Sequence, residues 1–147
     1  TKCCLFDKEK SWRKYLPILQ NILQPIQLSF ERCDVTKSLV KSDLNKKLLK
    51  CCGEVDIFIF SYVCYETSKL SKEGDFYKEL AEKSKPGSIF VFTDVIGHSK
   101  PVLFKIEKWM KMSLEKSQQG YEFKTITLEM KTAEVMILYK HPEMQKD

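Results

Sequence analysis

Val55-Asp-Ile-Phe-Ile-Phe-Ser-Tyr62 is the stretch on which the fold turns. An acidic residue leads into an unbroken run of β-branched and aromatic residues, and the run opens into polar Ser61, Tyr62, Tyr65 and Glu66. That length and composition predict a strand buried on both faces, of the kind found in the middle of a parallel sheet. A strand of that kind needs strands beside it and helices over it.

Upstream, Lys2 to Phe6 is a short apolar run that ends at Asp7, and it reads as a strand with a carboxylate at its tip. Trp12, Tyr15, Leu16, Leu19, Ile22 and Leu23 then recur at three- and four-residue steps and form one helical stripe. Pro17 within that stripe predicts a kink or a late start, and Pro25 a stop. Leu28 to Cys33 alternates as a strand does, with Leu28 and Phe30 on one face, and it ends at Asp34-Val35. Ser42 is placed to cap a helix carrying Leu44, Leu48 and Leu49, with Gly53 at its end.

Downstream of the central strand, Leu70 to Gly74 reads as a loop, and Phe76, Tyr77, Leu80 and Ala81 as the inner face of a helix. Pro86-Gly87 turns the chain into Ser88-Ile-Phe-Val-Phe-Thr-Asp94, a second apolar strand with a carboxylate at its tip. Pro101 suits the first turn of a helix whose inner face holds Val102, Ile106, Trp109 and Met110. Tyr121 to Leu128 and Ala133 to Tyr139 are strands joined by so short a link that they pair antiparallel. Strand and helix alternate until that final hairpin, which predicts a doubly wound, mostly parallel α/β sheet with helices on both faces. At 147 residues the expectation is a single domain spanning 1–147.

Composition narrows the function classes. The formal charge of +5 comes from lysines interleaved with acids along the whole chain, which describes a solvated surface. Nucleic acid stays open as a substrate, but no clustered basic face indicates it. No apolar run approaches the roughly 18 residues of a membrane span, and the charged Asp7-Lys-Glu-Lys10 interrupts anything resembling a signal peptide. The six cysteines occur as Cys3-Cys4, Cys51-Cys52, Cys33 and Cys64, without the gapped spacing of a zinc site. No metal is expected; the cysteines read as small buried hydrophobes in a reducing, intracellular compartment, the cytoplasm first.

Four landmarks and the hairpin together resemble the Rossmann-like (class I) methyltransferases that use S-adenosylmethionine, from their second strand onward. Asp7 matches the acid at the tip of the family's second strand, which accepts hydrogen bonds from the cofactor's ribose hydroxyls. Asp34-Val35 matches the acidic and apolar pair after the third strand, which lines the adenine pocket. Val55 to Tyr62 looks like the fourth strand, opening with Asp56, and Lys85-Pro-Gly-Ser-Ile-Phe-Val-Phe resembles the lead into the fifth. The resemblance implies cofactor contacts at Asp7, Asp34, Val35, Ser61 and Tyr62. It implies acceptor contact or catalysis at Tyr62, Tyr65 and Glu66; His98, on the loop after Asp94, is a further candidate base.

One departure puts cofactor binding and activity of the chain as given in doubt. The family's glycine-rich loop follows its first strand, and here Gly53, Gly74, Gly87, Gly97 and Gly120 are all isolated. The chain starts where the family's second strand starts, and a first residue of Thr1 rather than Met fits a chain beginning partway through a longer one. The missing strand would lie at the sheet's centre, between the strand before Asp7 and Val55 to Tyr62. Those two strands then either pair directly, borrow a strand from elsewhere, or leave the fold marginal. Three readings follow: a methyltransferase-like domain acting on an unknown acceptor; a non-catalytic descendant serving as an interaction or scaffold subunit, its exposed strand edge covered by a protein partner or a second copy; and a different doubly wound binding protein, since fold does not fix function.

Overall fold

The computed structural model describes residues 1–70 and 73–142. Its strands are β1 (Lys2–Asp7), β2 (Gln27–Arg32), β3 (Ile57–Ser61), β4 (Ile89–Val95), β5 (Tyr121–Glu129) and β6 (Ala133–Pro142). Between them lie helices α1 (Leu16–Ile22), α2 (Lys46–Cys51), α3 (Cys64–Thr67), α4 (Asp75–Lys83) and α5 (Lys100–Ser117). The expected mixed α/β order is present. Pro17 gives the late start: a 3-10 segment over Lys10–Tyr15 precedes α1, and the proline sits in the first turn where its missing N–H costs nothing. Ser42 precedes a 3-10 turn, Asp43–Asn45, and makes no side-chain cap; beyond α2 a second 3-10 turn, Cys52–Glu54, carries the chain past Gly53. Of the expected loop before α4, residues 71–72 lie outside the described ones.

The strands fall into two groups. β1 and β2 pair in parallel, with Lys2 opposite Gln27 and Asp7 opposite Arg32. The other four are ordered β3-β4-β6-β5, with β3 parallel to β4 and β6 antiparallel to both β4 and β5. Among the described residues β1 and β3 are not paired, so the strands form two separate sheets. The two groups share one core. Phe6 on β1 and Val35 after β2 pack against a cluster that includes Phe58, Phe60, Phe90, Phe92, Tyr77, Ile106 and Met110.

Within that core the aromatics are ordered by strand pairing. Phe58 stacks on Phe90, and Phe60 on Phe92, each pair with ring centroids 4.7 Å apart, as in-register neighbours on a parallel pair allow. Tyr77 of α4 is tilted against both Phe60 and Phe92. Gly74, at φ 67°, opens α4 beneath Trp109 of α5, where a Cβ would come within 2.2 Å of the indole ring. Only glycine fits there.

The expectation that β3 is buried on both faces is wrong. Phe58 and Phe60 are 7% and 8% exposed, whereas Ile57 and Ile59 between them are 54% and 70% exposed. The cause is the placement of the helices. The core side chains of α2, α4 and α5 belong to the cluster around Phe58 and Phe60, while α1 packs on β2, on the side of Phe30. Register carries the bare face across the four strands: Ile59, Val91, Ile137 and Ile126 form one row, and Ser61, Thr93, Val135 and Leu128 another. Among the described residues no helix covers these rows, and Ile126 and Leu128 at their far end are more than half exposed.

The cysteines divide as well. Cys33, Cys52 and Cys64 are buried as expected, but Cys3 and Cys4 are exposed, because the two faces of β1 near its start have little against them; all six are free thiols.

Candidate functional site

In a parallel sheet the carboxyl ends of the strands form the edge where ligands bind, since helix starts and loops converge there. The candidate cofactor and acceptor residues singled out from the sequence lie at that edge, in two groups matching the two parts of the sheet.

The first group is Asp7, Asp34 and Val35. Asp7 ends β1, and its carbonyl accepts the Cys33 N–H at 3.1 Å, which ties the tips of β1 and β2 together. Its Oδ1 accepts the Glu9 N–H at 2.8 Å; its other carboxylate oxygen takes no hydrogen bond from the described residues. Beside it opens a cleft of about 390 Å³ between α1 and the two strands, walled by Leu5, Trp12, Tyr15, Leu19 and Phe30. A half-buried carboxylate with a free oxygen, at the mouth of an aromatic-walled cleft, can take a pair of hydroxyl donors and a flat apolar group beside them.

Asp34 is more constrained. Its Oδ1 accepts both the N–H and the hydroxyl of Thr36, at 2.9 and 2.6 Å, closing a local turn. The loop is held by Asn45, fully buried, whose Oδ1 accepts the Asp34 N–H at 2.7 Å and whose amide donates to the carbonyls of Asp34, Lys37 and Ser38. A buried side-chain amide with all its bonds made is a rigid strut. Glu79 of α4 anchors the far side of the loop, accepting from the Ser38 hydroxyl at 2.9 Å and the Val40 N–H at 3.1 Å. Val35 turns inward onto the core. Above Asp34, burial beside Asp34 and Asp7 pushes the Cys33 thiol up to about 12, so it is inert as a nucleophile.

The second group is Ser61, Tyr62, Tyr65, Glu66 and His98. Ser61 ends β3 and is exposed. Tyr62 follows in the left-handed region at φ 55°, with its ring 45% exposed and its N–H bonded to the Thr93 carbonyl at 2.7 Å. Tyr65 and Glu66 stand in the first turn of α3, and the Tyr65 ring lies 6.1 Å from that of His98, centroid to centroid. Asp94, by contrast, is buried at the tip of β4 and faces the backbone of α3. No hydrogen bond or ion pair among the described residues joins the two groups.

Asp56 and Lys85, two of the landmarks, sit together at the opposite end of the strands, where they form an ion pair beside the turn at Gly87. They shape the lead into β3 and β4 and face away from the ligand edge. Sequence reasoning missed Asn45 and Glu79, because nothing in a single sequence distinguishes a buried asparagine or glutamate from a solvated one.

For a nucleoside-bearing cofactor the residues present fit in part. Asp7 and its cleft suit a ribose and its neighbours, but no described turn supplies the glycine-lined backbone that would approach the rest of such a molecule.

No protein-family model matches the sequence, and no curated protein matches it. Solved structures do. A methyltransferase from Pyrococcus furiosus aligns with a TM-score of 0.54 at 15% identity, covering 95% of this chain and 63% of its own. An O-methyltransferase family protein from Burkholderia thailandensis gives 0.56 at 9% identity, over 95% of this chain and 43% of that one. A SAM-dependent methyltransferase from Methanosarcina mazei gives 0.54 at 10% identity, over 97% and 83%. The chain thus spans 63% of the length of the first of these, and identities this low speak to the fold alone. The fold of this chain is that of the class I methyltransferases.

Proposed function

We propose that the protein containing this chain transfers a methyl group from S-adenosylmethionine to an acceptor, with Asp7 on the cofactor's ribose and the Tyr62–Glu66 loop on the acceptor side. Asp34 and Val35 border the adenine, and Ser61 and Tyr62 border the sulfonium end. Methyl transfer is an in-line displacement, so the protein's task is to hold donor and acceptor on one line, with Glu66 or His98 placed to take a proton from the acceptor. The observation that carries this reading is the strand pairing, β1 parallel to β2 and β3-β4-β6-β5 with β3 parallel to β4 and a closing antiparallel hairpin, with the candidate residues at the carboxyl ends of β1, β2 and β3.

Handedness supports it further. Right-handed crossovers place a connecting helix on one face when the chain steps outward and on the other when it steps back. A strand between β1 and β3, parallel to both and connected onward to β1, steps in the same direction as β1 to β2. Its helix then lies on the face of α1, which is the face left bare over Ile57 and Ile59. The turn between that strand and that helix falls at the carboxyl edge between Asp7 and Ser61, where the glycine-lined backbone is wanted.

The test is calorimetric titration of S-adenosylhomocysteine into the 1–147 chain and into a version extended ahead of Thr1. Binding confined to the extended version supports the proposal; no binding in either refutes it. The divided sheet and its bare apolar face favour one second reading, a non-catalytic subunit whose partner or second copy covers that face. A monomer of 17.3 kDa in solution argues against that reading, and a stable dimer for it.

A further inference from the structure

We infer that Asp94 is a positioning residue that holds the Tyr62–Glu66 loop on the carboxyl edge. The inference rests on that loop's being the acceptor side, but its test needs no catalysis, so failure of the methyl-transfer reading and failure of this one are separable.

Asp94 ends the second apolar strand, where a carboxylate invites assignment as a ligand contact. Its environment says otherwise. It is 1% exposed, its Oδ2 accepts the Tyr65 N–H at 2.8 Å, and its Oδ1 accepts the Val95 N–H at 2.8 Å. Both oxygens are spent on backbone. A buried carboxylate is costly unless its hydrogen bonds are made, so a neutral side chain would be the cheaper occupant of this spot if filling space were its whole task.

What the carboxylate secures is the start of α3. The residue before it, Thr93, accepts the Tyr62 N–H at 2.7 Å, so two successive residues of β4 grip both ends of the segment that turns out of β3. Between the grips Tyr62 occupies the left-handed region at φ 55°, which disfavours any residue with a Cβ. Its ring is 45% exposed, so packing does little to offset that backbone. Strained, exposed residues persist where surrounding bonds over-determine them. Here those bonds are the two from β4, and their effect is to set Tyr65 beside His98, with ring centroids 6.1 Å apart.

The test is amide hydrogen exchange by NMR on Asp94→Asn, which keeps the shape but replaces one acceptor oxygen with a donor. The Tyr62 and Tyr65 amides should exchange at least about ten-fold faster, while Val91 and Ile137 at the centre of the sheet change less than about two-fold. The His98 ring protons should shift as Tyr65 moves away. In a Tyr62→Gly background the left-handed backbone carries no penalty, and the acceleration should fall to under about a third of its size. Equal acceleration at all four amides would mean that Asp94 merely stabilises the fold, and would overturn the inference. So would unchanged exchange at Tyr65, or the same acceleration in both backgrounds. Should Asp94→Asn fail to fold, Tyr62→Gly alone decides: slower exchange at Tyr65 is expected, and unchanged or faster exchange refutes the strained clamp.

Discussion

Two adjacent residues of β3 should respond to mutation as if they belonged to different proteins. Phe60 is 8% exposed, stacked on Phe92 at 4.7 Å and flanked by Phe76 and Tyr77 at 6.4 and 5.8 Å. Phe60→Ala removes a ring from a packed core and should cost about 3–5 kcal/mol. Ile59 is 70% exposed, so folding takes less than a third of its surface out of water. Full burial of such a side chain contributes roughly 1.5–3 kcal/mol, and the share available here is below about 1 kcal/mol. Ile59→Thr keeps the β-branch, and with it the strand preference, so only that share is at stake. Urea denaturation of the 1–147 chain, followed by circular dichroism, compares the two directly. Equal losses would refute the bare face. In a version extended ahead of Thr1, the proposed covering helix predicts that the cost of Ile59→Thr rises to about 2 kcal/mol while that of Phe60→Ala is unchanged.

Three further outcomes are expected. Lys140 is 1% exposed and donates to the carbonyls of Ala81 and Ser84, at 2.8 and 2.7 Å, at the end of α4; Lys140→Met leaves both unpaired and should cost about 2–4 kcal/mol in the same assay. Burial alone would raise the Glu107 carboxyl, but bonds from Lys111 and Thr125, each at 2.6 Å, hold it below its usual 4.5. Its stabilising share is therefore complete above that value and lost as pH falls through the lower folded one; Glu107→Gln should flatten that part of the stability profile in urea melts below about pH 5. Burial pushes the Cys33 and Cys64 thiols up to about 12, whereas Cys3 and Cys4 are exposed. Burial also raises the Cys4 thiol, so iodoacetamide near neutral pH, read by mass spectrometry, should modify Cys3 first, Cys4 more slowly, and reach Cys33 and Cys64 only in denaturant.

Much of this architecture is legible in one sequence because periodicity and punctuation are local. Pro17, Pro25, Pro86-Gly87 and Pro101 mark their boundaries through backbone chemistry that no tertiary contact overrides. The misread face of β3 has the opposite origin. Ile57 and Ile59 have the composition of a strand covered on both sides, and only the three-dimensional count of helices shows one side uncovered. The order β4-β6-β5 was equally out of reach, since a hairpin's pattern fixes its antiparallel sense but not which of its strands meets the sheet. At the candidate site, the acids at strand tips were readable as positions but not as roles. Asp7 keeps an oxygen free, Asp34 spends one on Thr36, and Asp94 spends both, and those differences lie in partners distant in sequence.

The break between β1 and β3 also bears on cooperativity. Among the described residues no ladder hydrogen bonds cross it, so β1 and β2 are joined to the other four strands by side-chain packing through residues such as Phe6, Cys33 and Val35 and by the Glu79 bonds to the loop after β2. Side-chain contacts of that kind let a pair of strands open without melting the remainder, as a sub-global unit with its own opening free energy. Asp7 and Asp34 ride on that pair, whereas Tyr62 and Tyr65 ride on the larger part. A ligand bridging both would have to order one unit against the other, and part of its intrinsic affinity would go into that ordering. Its signature would be slowed exchange of β1 and β2 amides far from any contact with the ligand itself.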